Sequence, residues 1–341
     1  MRKIHGNFTL WQGLFLLFNN MQAVKLSPEI NQLGCIADEP NAIYHANPAV
    51  SSSKLKVFAK SAQLYYRKFI AKTFVEEFTE DQIKRFAVGT AAHALILEGR
   101  DVYSQTVAIR PQGIDRRTTV GKAAYAAFEA SAAGKTIIDD ESACIVERMA
   151  ASVAAHPAAS ALMAGCLPEL TWRRSMGAMT VQCRTDLFGS NIVDVPGLSE
   201  PVGLRVVDLK TCESVSEGDF GSFHKQFESL GYYKQAGFYL ALLHSMVPKE
   251  MVPMDGIPFF FVAVEKREPF QTIVVQPDQE ALAEGYESAM ADLKALRDCM
   301  AANYWPGTPT TVQPISLPSW FVKQSQAKRM SARSAIEGGV S

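Results

Sequence analysis

Closely spaced cysteines are what this sequence lacks. Its six cysteines stand at 35, 144, 166, 183, 212 and 299, with no Cys-x-x-Cys pair among them. That spacing excludes a zinc ribbon and a clustered iron–sulfur site. Without a secretory context, free thiols in a reducing compartment are the expectation, and the protein is expected in the cytoplasm. A charge excess is also missing. The 341 residues carry 34 basic and 35 acidic side chains, a net charge of −1, so no global field draws in a polyanion and any nucleic-acid binding has to come from local basic patches. Nor is there a membrane-spanning run. Arg2 and Lys3 precede an apolar stretch from Phe8 to Phe18, which is too short to cross a bilayer and has no small-x-small cleavage site after it. Residues 1–24 are expected to be a dispensable extension, with Met21 as an alternative start.

What remains is the composition of a soluble globular protein, 48% hydrophobic and 20% charged. Residues 47–74 hold six basic side chains and no acidic one, among them Lys54, Lys56, Lys60, Arg67 and Lys68. Ser51–Ser53 offer a helix cap, and Leu55, Phe58, Ala62 and Tyr65 follow at helical spacing. A basic helix of this kind reads first as a solvated face. With Tyr65 and Tyr66 interleaved, it could also track a phosphate backbone. Residues 81–98 predict a second helix entered through Thr79 or Asp81, with His93 in its apolar middle, where a satisfied core histidine is the ordinary reading. Residues 100–136, containing Arg110, Arg116, Arg117 and Lys122, read as a long connection. Alanine-rich helices follow at 139–156 and up to 164.

The pattern changes at Pro168. Residues 169–174 and 179–188 alternate like strands around a Ser-Met-Gly-Ala turn, 190–203 form a long loop, and 204–210 predict a third strand. One helix is predicted over about 217–244, strands at 257–264 and 270–276, and a last helix at 278–302. The tail from Pro306 is Pro- and Ser-rich, and its end is expected to be disordered. Helices first, then strands interleaved with helices, imply a mixed α/β (α+β) fold: a mixed β-sheet core flanked by helices, with a helical N-terminal region. The expected divisions are a helical part over 47–165 and a catalytic core over 166–302, within a domain spanning 25–305.

The chemistry concentrates at Asp208-Leu209-Lys210. In a strand, residues two apart share a face, so the carboxylate and the ammonium project together while Val207 and Leu209 enter the core. Asp186 ends the preceding strand and returns beside Asp208, and Glu169 opens the strand before that. Three carboxylates and a lysine gathered in one place are costly unless they pair or bind a cation. Oxygen donors without a histidine–cysteine cluster favour Mg²⁺, with Mn²⁺ as the alternative. An ion of this kind would polarise a phosphodiester, and Lys210 would orient or deprotonate the attacking water or stabilise developing charge.

In order along the chain, these residues resemble the PD-(D/E)XK nuclease superfamily, and more closely the RecE-type exonucleases (exonuclease VIII) of the RecB-like group. The stretches that carry the resemblance are Tyr44-His45-Ala46 with Ser51–Ser53, Gly89-Thr90-Ala91-Ala92-His93 running to Glu98, and Cys183-Arg184-Thr185-Asp186. They continue with Val207-Asp208-Leu209-Lys210-Thr211, Gln235-Ala236-Gly237-Phe238-Tyr239, and finally Trp305-Pro306-Gly307 with Leu317-Pro318-Ser319-Trp320. The resemblance implies a restriction-endonuclease-like fold and a metal held by Asp186 and Asp208, with Glu169 and His93 completing the shell. It also implies that Gln235 and Tyr239 border the site from one helical face. The implied activity is removal of one strand of duplex DNA from an end, 5′ to 3′, for recombination. Implied partners are duplex DNA with an end, a single-strand annealing protein and further copies of the chain in a ring. Some RecB-like nucleases carry an iron–sulfur cluster, for which this chain lacks the cysteines. Asp194, in Ile-Val-Asp-Val-Pro, imitates a metal strand but has no lysine after it and reads as a loop residue. An endonuclease on the same core and a catalytically silent DNA-binding module are the alternative readings.

Overall fold

A computed structural model of the chain describes residues 33–215 and 221–337; the extension expected to be dispensable lies outside them. The architecture is a mixed α/β sandwich built on one six-stranded sheet. Its strands are β1 (Gly34–Ile36), β4 (Leu167–Met176), β5 (Met179–Gly189), β6 (Arg205–Cys212), β7 (Phe259–Glu265) and β8 (Thr272–Val275), side by side in the order β1-β4-β5-β6-β7-β8. The β6–β7 pair is parallel and the others are antiparallel. A parallel pair needs a crossover, here the two helices Gly221–Ser229 and Tyr232–His244. β2 (Val107–Ile109) and β3 (Thr136–Ile138) form a separate parallel pair.

Period-two alternation divides the core between the two faces of the sheet. Val206, Cys212, Phe259 and Phe261 pack on one side with Phe238, Leu242 and Leu293 from the helices Tyr232–His244 and Gln279–Ala302. Val207, Leu209, Phe260 and Val262 pack on the other with Ala91, Val146 and Met149 from Glu80–His93 and Asp140–Ala155. The first pair of helices approaches very closely. A Cβ on Gly237 would lie 2.2 Å from the Tyr286 nitrogen, and one on Gly285 would lie 2.1 Å from the Tyr233 carbonyl oxygen. The two glycines therefore permit a backbone-to-backbone crossing that any side chain would block.

Local signals set most helix starts. Ser51 accepts from the Lys54 N–H at the head of Ser52–Lys60, and Thr79 with Gln82 forms a reciprocal capping box for Glu80–His93. Three expectations need correction. Residues 100–136 are not a plain connection, because they hold the helices Arg100–Thr106 and Thr119–Ser131 as well as β2 and β3. The second of these helices is largely exposed, with Gly121 its buried residue. The helix predicted over 217–244 is two helices, parted where Gly231 adopts a left-handed φ of 65°; residues 216–220 lie outside the described residues. The tail predicted to end in disorder forms a helix at Ser319–Glu337, while residues 338–341 are outside the description.

The chain divides into two compact units, Met1–Trp305 and Pro306–Ser341. No helix among the described residues is long and apolar enough to cross a membrane.

Candidate active site

The site lies where β5 and β6 part. Their ladder runs from Gly189–Arg205 through Phe188–Val206 to Leu187–Val207 and stops there. The next residues in register are Asp186 and Asp208. Instead of a main-chain pair, the Asp186 carboxylate accepts the Leu209 N–H at 2.8 Å. Upstream of Asp186 the chain at Val50 bridges β5, taking the Gln182 N–H and donating to the Thr180 carbonyl. The open wedge between the strands leaves Asp186 on the cleft, while Asp208 stays buried.

Glu169 faces this wedge from β4, between the pairs Pro168–Leu187 and Leu170–Thr185 and so across from Asp186. Its φ is +52°, a left-handed conformation that costs a non-glycine residue about 1–2 kcal/mol. Strain of this kind gathers at functional sites. His93, at the last turn of Glu80–His93, places Nδ1 3.8 Å from Asp186 Oδ2. One ligand atom from each of His93, Glu169 and Asp186 falls within 4.8 Å of the others.

Asp208 looks elsewhere. It is buried, with Oδ2 2.5 Å from Lys210 Nζ but lacking an aligned hydrogen-bond donor. Gln235 closes the ring: its Nε2 donates to Asp208 Oδ1 at 2.7 Å, and its Oε1 accepts from Lys210 Nζ at 3.2 Å. The Tyr232 ring lies 4.7 Å from the same ammonium and packs with Phe223 and Phe261. Of the four expected metal ligands, three thus converge and the fourth holds the lysine. Tyr239, four residues after Gln235, is buried and lines the cleft.

Burial, then the neighbouring Asp186, pushes the Glu169 carboxyl up to about 8, against the pull of Arg184. Burial and Asp186 likewise raise Asp208, although Lys210 and Gln235 oppose them. Burial alone would lower Lys210, but Asp208 and Asp186 outweigh it, so its proton is held more tightly than usual. Crowded carboxylates that resist ionisation, beside an imidazole, fit a hard divalent cation whose charge would relieve their repulsion.

Some contributors were given no role of their own from the sequence. Arg184 sits two residues before Asp186 on the same face of β5. It stacks on Tyr44 at 4.2 Å, donates to Thr171 Oγ1 and the Glu39 carbonyl, and stands 3.8 Å from Glu169 Oε2. Glu39 lies between Arg184 and the buried Arg173. A basic residue at i−2 from Asp186 is a signal for Arg184; nothing local identifies Glu39. Glu98 lines the same cleft, its carboxyl raised by burial.

Several side chains of the basic segment bind the protein itself. Lys54 Nζ donates to the Asn47 and Ala49 carbonyls, Lys56 Nζ to the Leu230 carbonyl at 2.8 Å, and Lys68 pairs with Glu76. Tyr65 is buried, and with Tyr66 it packs on Trp305. Lys60 and Arg67 are exposed, and so is Asp194 in its loop. The cleft has a volume of about 900 Å³ and is walled by Tyr44–His45, Ser51–Lys56, Gly89–Glu98 and Leu230–Tyr239.

Residues 51–315 match the family model of a PDDEXK-like domain of unknown function. No curated protein matches the sequence significantly. Among solved structures, a protein of Eubacterium rectale named as a candidate exonuclease is similar at a TM-score of 0.50 and 13% identity, over 82% of this chain and 96% of its own. At that identity the likeness concerns the fold.

Proposed function

This chain belongs to the PDDEXK-like family and has the fold of that nuclease superfamily, and on that premise we propose that it is a divalent-metal-dependent exodeoxyribonuclease. It removes one strand of duplex DNA, from the 5′ end in the RecE manner, and leaves a single strand for recombination. The observation that carries this reading is the convergence of His93, Glu169 and Asp186 beside the closed ring of Asp208, Lys210 and Gln235.

His93, Glu169 and Asp186 would hold Mg²⁺ or Mn²⁺, while Asp208 holds Lys210. When bound, such an ion supplies Lewis-acid polarisation of the phosphodiester and a more acidic water. Arg184 restrains Glu169, and the Leu209 N–H restrains Asp186. Lys210 keeps its proton, because two carboxylates hold it; its part is to donate towards charge developing on the phosphate or to orient the water, rather than to act as base. Gln235 fixes the ammonium and the Asp208 carboxylate relative to each other. The surrounding helices wall the cleft, which supports entry of a strand by its end.

The test is digestion of linear and covalently closed duplex with Mg²⁺, each end labelled in turn. Linear DNA is expected to shorten while the circle survives, with the 5′ label lost first as short products. Cutting of the circle at a comparable rate would replace the exonuclease with an endonuclease. Early loss of the 3′ label alone would reverse the polarity. Asp208→Ala and Lys210→Ala are each expected to lower the rate by about 10²–10⁴ or more; near-parental digestion by either variant would place the chemistry elsewhere.

A further inference from the structure

Half of the basic side chains at 54–72 are engaged by the protein itself. Lys54, Lys56 and Lys68 are engaged with carbonyls and with Glu76. The catalytic cleft itself gathers carboxylates. Residues 1–305 carry 30 basic and 34 acidic side chains, and residues 306–341 carry four and one. The first unit therefore opposes a polyanion on net charge, and the second attracts one.

That second unit holds the helix Ser319–Glu337, which starts beyond the family match that ends at residue 315. Its cations are Lys323, Lys328, Arg329 and Arg333, and its lone acid is Glu337 at the far end. By their spacing Lys323, Lys328 and Arg329 lie around the helix rather than along one side, and no continuous apolar stripe runs beside them. A helix patterned in this way is not shaped to complete a core. Trp320 and Phe321, at its first turn, are 65% and 43% exposed, and Met330 is 72% exposed.

From this charge complementarity we infer that the helix Ser319–Glu337 is a DNA-holding arm, which grips the phosphate backbone of the duplex whose strand the cleft takes. The inference rests on the nuclease reading for its partner. It assigns the electrostatic part of binding to the tail and leaves the chemistry to the first unit. Phosphate contacts of this kind position a duplex without reading its sequence, which suits an enzyme that must track any DNA.

The test uses the full chain carrying Lys323→Gln, Lys328→Gln, Arg329→Gln and Arg333→Gln together. Glutamine keeps helix propensity, and circular dichroism with the thermal midpoint checks the fold. Binding to a labelled duplex is measured in chelator, without turnover, from 50 to 200 mM salt. Each lost phosphate contact lowers the log–log salt slope by about 0.9, so four losses shrink the salt-induced weakening across this range by roughly 10². A slope equal to the parent's overturns the arm. An equal fall per charge on Lys294→Gln with Arg297→Gln, in another helix of the chain, shows only bulk charge and also overturns it. Capture of the parent by phosphatidylserine vesicles through the same four cations, with the DNA slope unchanged, gives the helix to a membrane surface instead. The two proposals fail separately. A lowered slope in a chain that cuts no DNA keeps the arm and sinks the nuclease, and an unchanged slope in an active nuclease does the reverse.

Discussion

Lys210 Nζ stands 4.7 Å from the centre of the Tyr232 ring, so the ammonium is held by an aromatic face as well as by Asp208 and Gln235. Gly231, left-handed just before Tyr232, starts the helix at the point where Lys56 takes the Leu230 carbonyl. The ring is therefore fixed from its own backbone. A cation over such a ring gains about 0.5–2 kcal/mol. Tyr232→Leu is expected to lower turnover roughly 2- to 30-fold with little change in KM, and Tyr232→Phe to stay near the parent. If phenylalanine is as harmful as leucine, the hydroxyl matters and the aromatic face does not.

The helix that delivers Gln235 depends on Gly237. A Cβ there would meet the Tyr286 nitrogen at 2.2 Å and the Gly285 carbonyl carbon at 2.3 Å. These are backbone atoms, so no side chain can swing aside. Overpacking of this kind costs about 1–3 kcal/mol. Gly237→Ala should lower the melting temperature by a few degrees and reduce activity by more than the fold loss explains, because Gln235 moves with the helix. An unchanged melting curve would mean that the two helices can separate at no cost.

The strand carrying Asp208 and Lys210 was legible because period two needs only neighbouring residues. The same logic brought Asp186 alongside, although the parting of β5 and β6 at that point comes from tertiary packing. Glu169 reaches the cluster through a left-handed backbone that no sequence pattern encodes. The position of His93 followed only from the family resemblance, since helical periodicity places it among core residues. At 54–72 composition does not show which basic residues reach solvent, because it cannot distinguish a lysine aimed at solvent from one capping its own loop. Glu39 and Arg184 meet across 145 positions, beyond any local rule.

Lys54 illustrates the consequence. Burial first, then Arg173 and Lys72, lowers its pKa to about 8, and its ammonium joins the Asn47 and Ala49 carbonyls. Lys54→Ala should destabilise the protein by about 1–3 kcal/mol through the carbonyls left unpaired, with no change in the salt slope of DNA binding. Lys60→Gln with Arg67→Gln, both exposed, should leave stability alone and lower that slope only if this face meets the duplex. A lowered slope for Lys54→Ala at unchanged stability would instead make Lys54 a phosphate contact.

The carboxylates make metal binding and metal-free stability depend on pH in opposite directions. In the unfolded chain Glu169 titrates near 4.5, and burial beside Asp186 lifts it to about 8 in the fold, with Asp208 raised as well. A folded pKa above the unfolded one means that the folded state binds the proton more tightly. The stability this contributes is fully present below pH 4.5 and is lost as pH rises towards 8. Without metal, the melting temperature should therefore fall between about pH 5 and pH 8. A divalent cation needs the ionised forms, so it displaces protons and binds about tenfold more tightly per pH unit for each proton released. The rise in melting temperature on adding Mn²⁺ should then be larger at pH 8 than at pH 6, measured against the same protein in chelator. His93→Ala, which removes an imidazole from the cluster and leaves both carboxyls, should shrink that rise at both pH values while the metal-free slope persists. A Mn²⁺ effect that is equal or smaller at pH 8 would show that His93, Glu169 and Asp186 do not form the metal site.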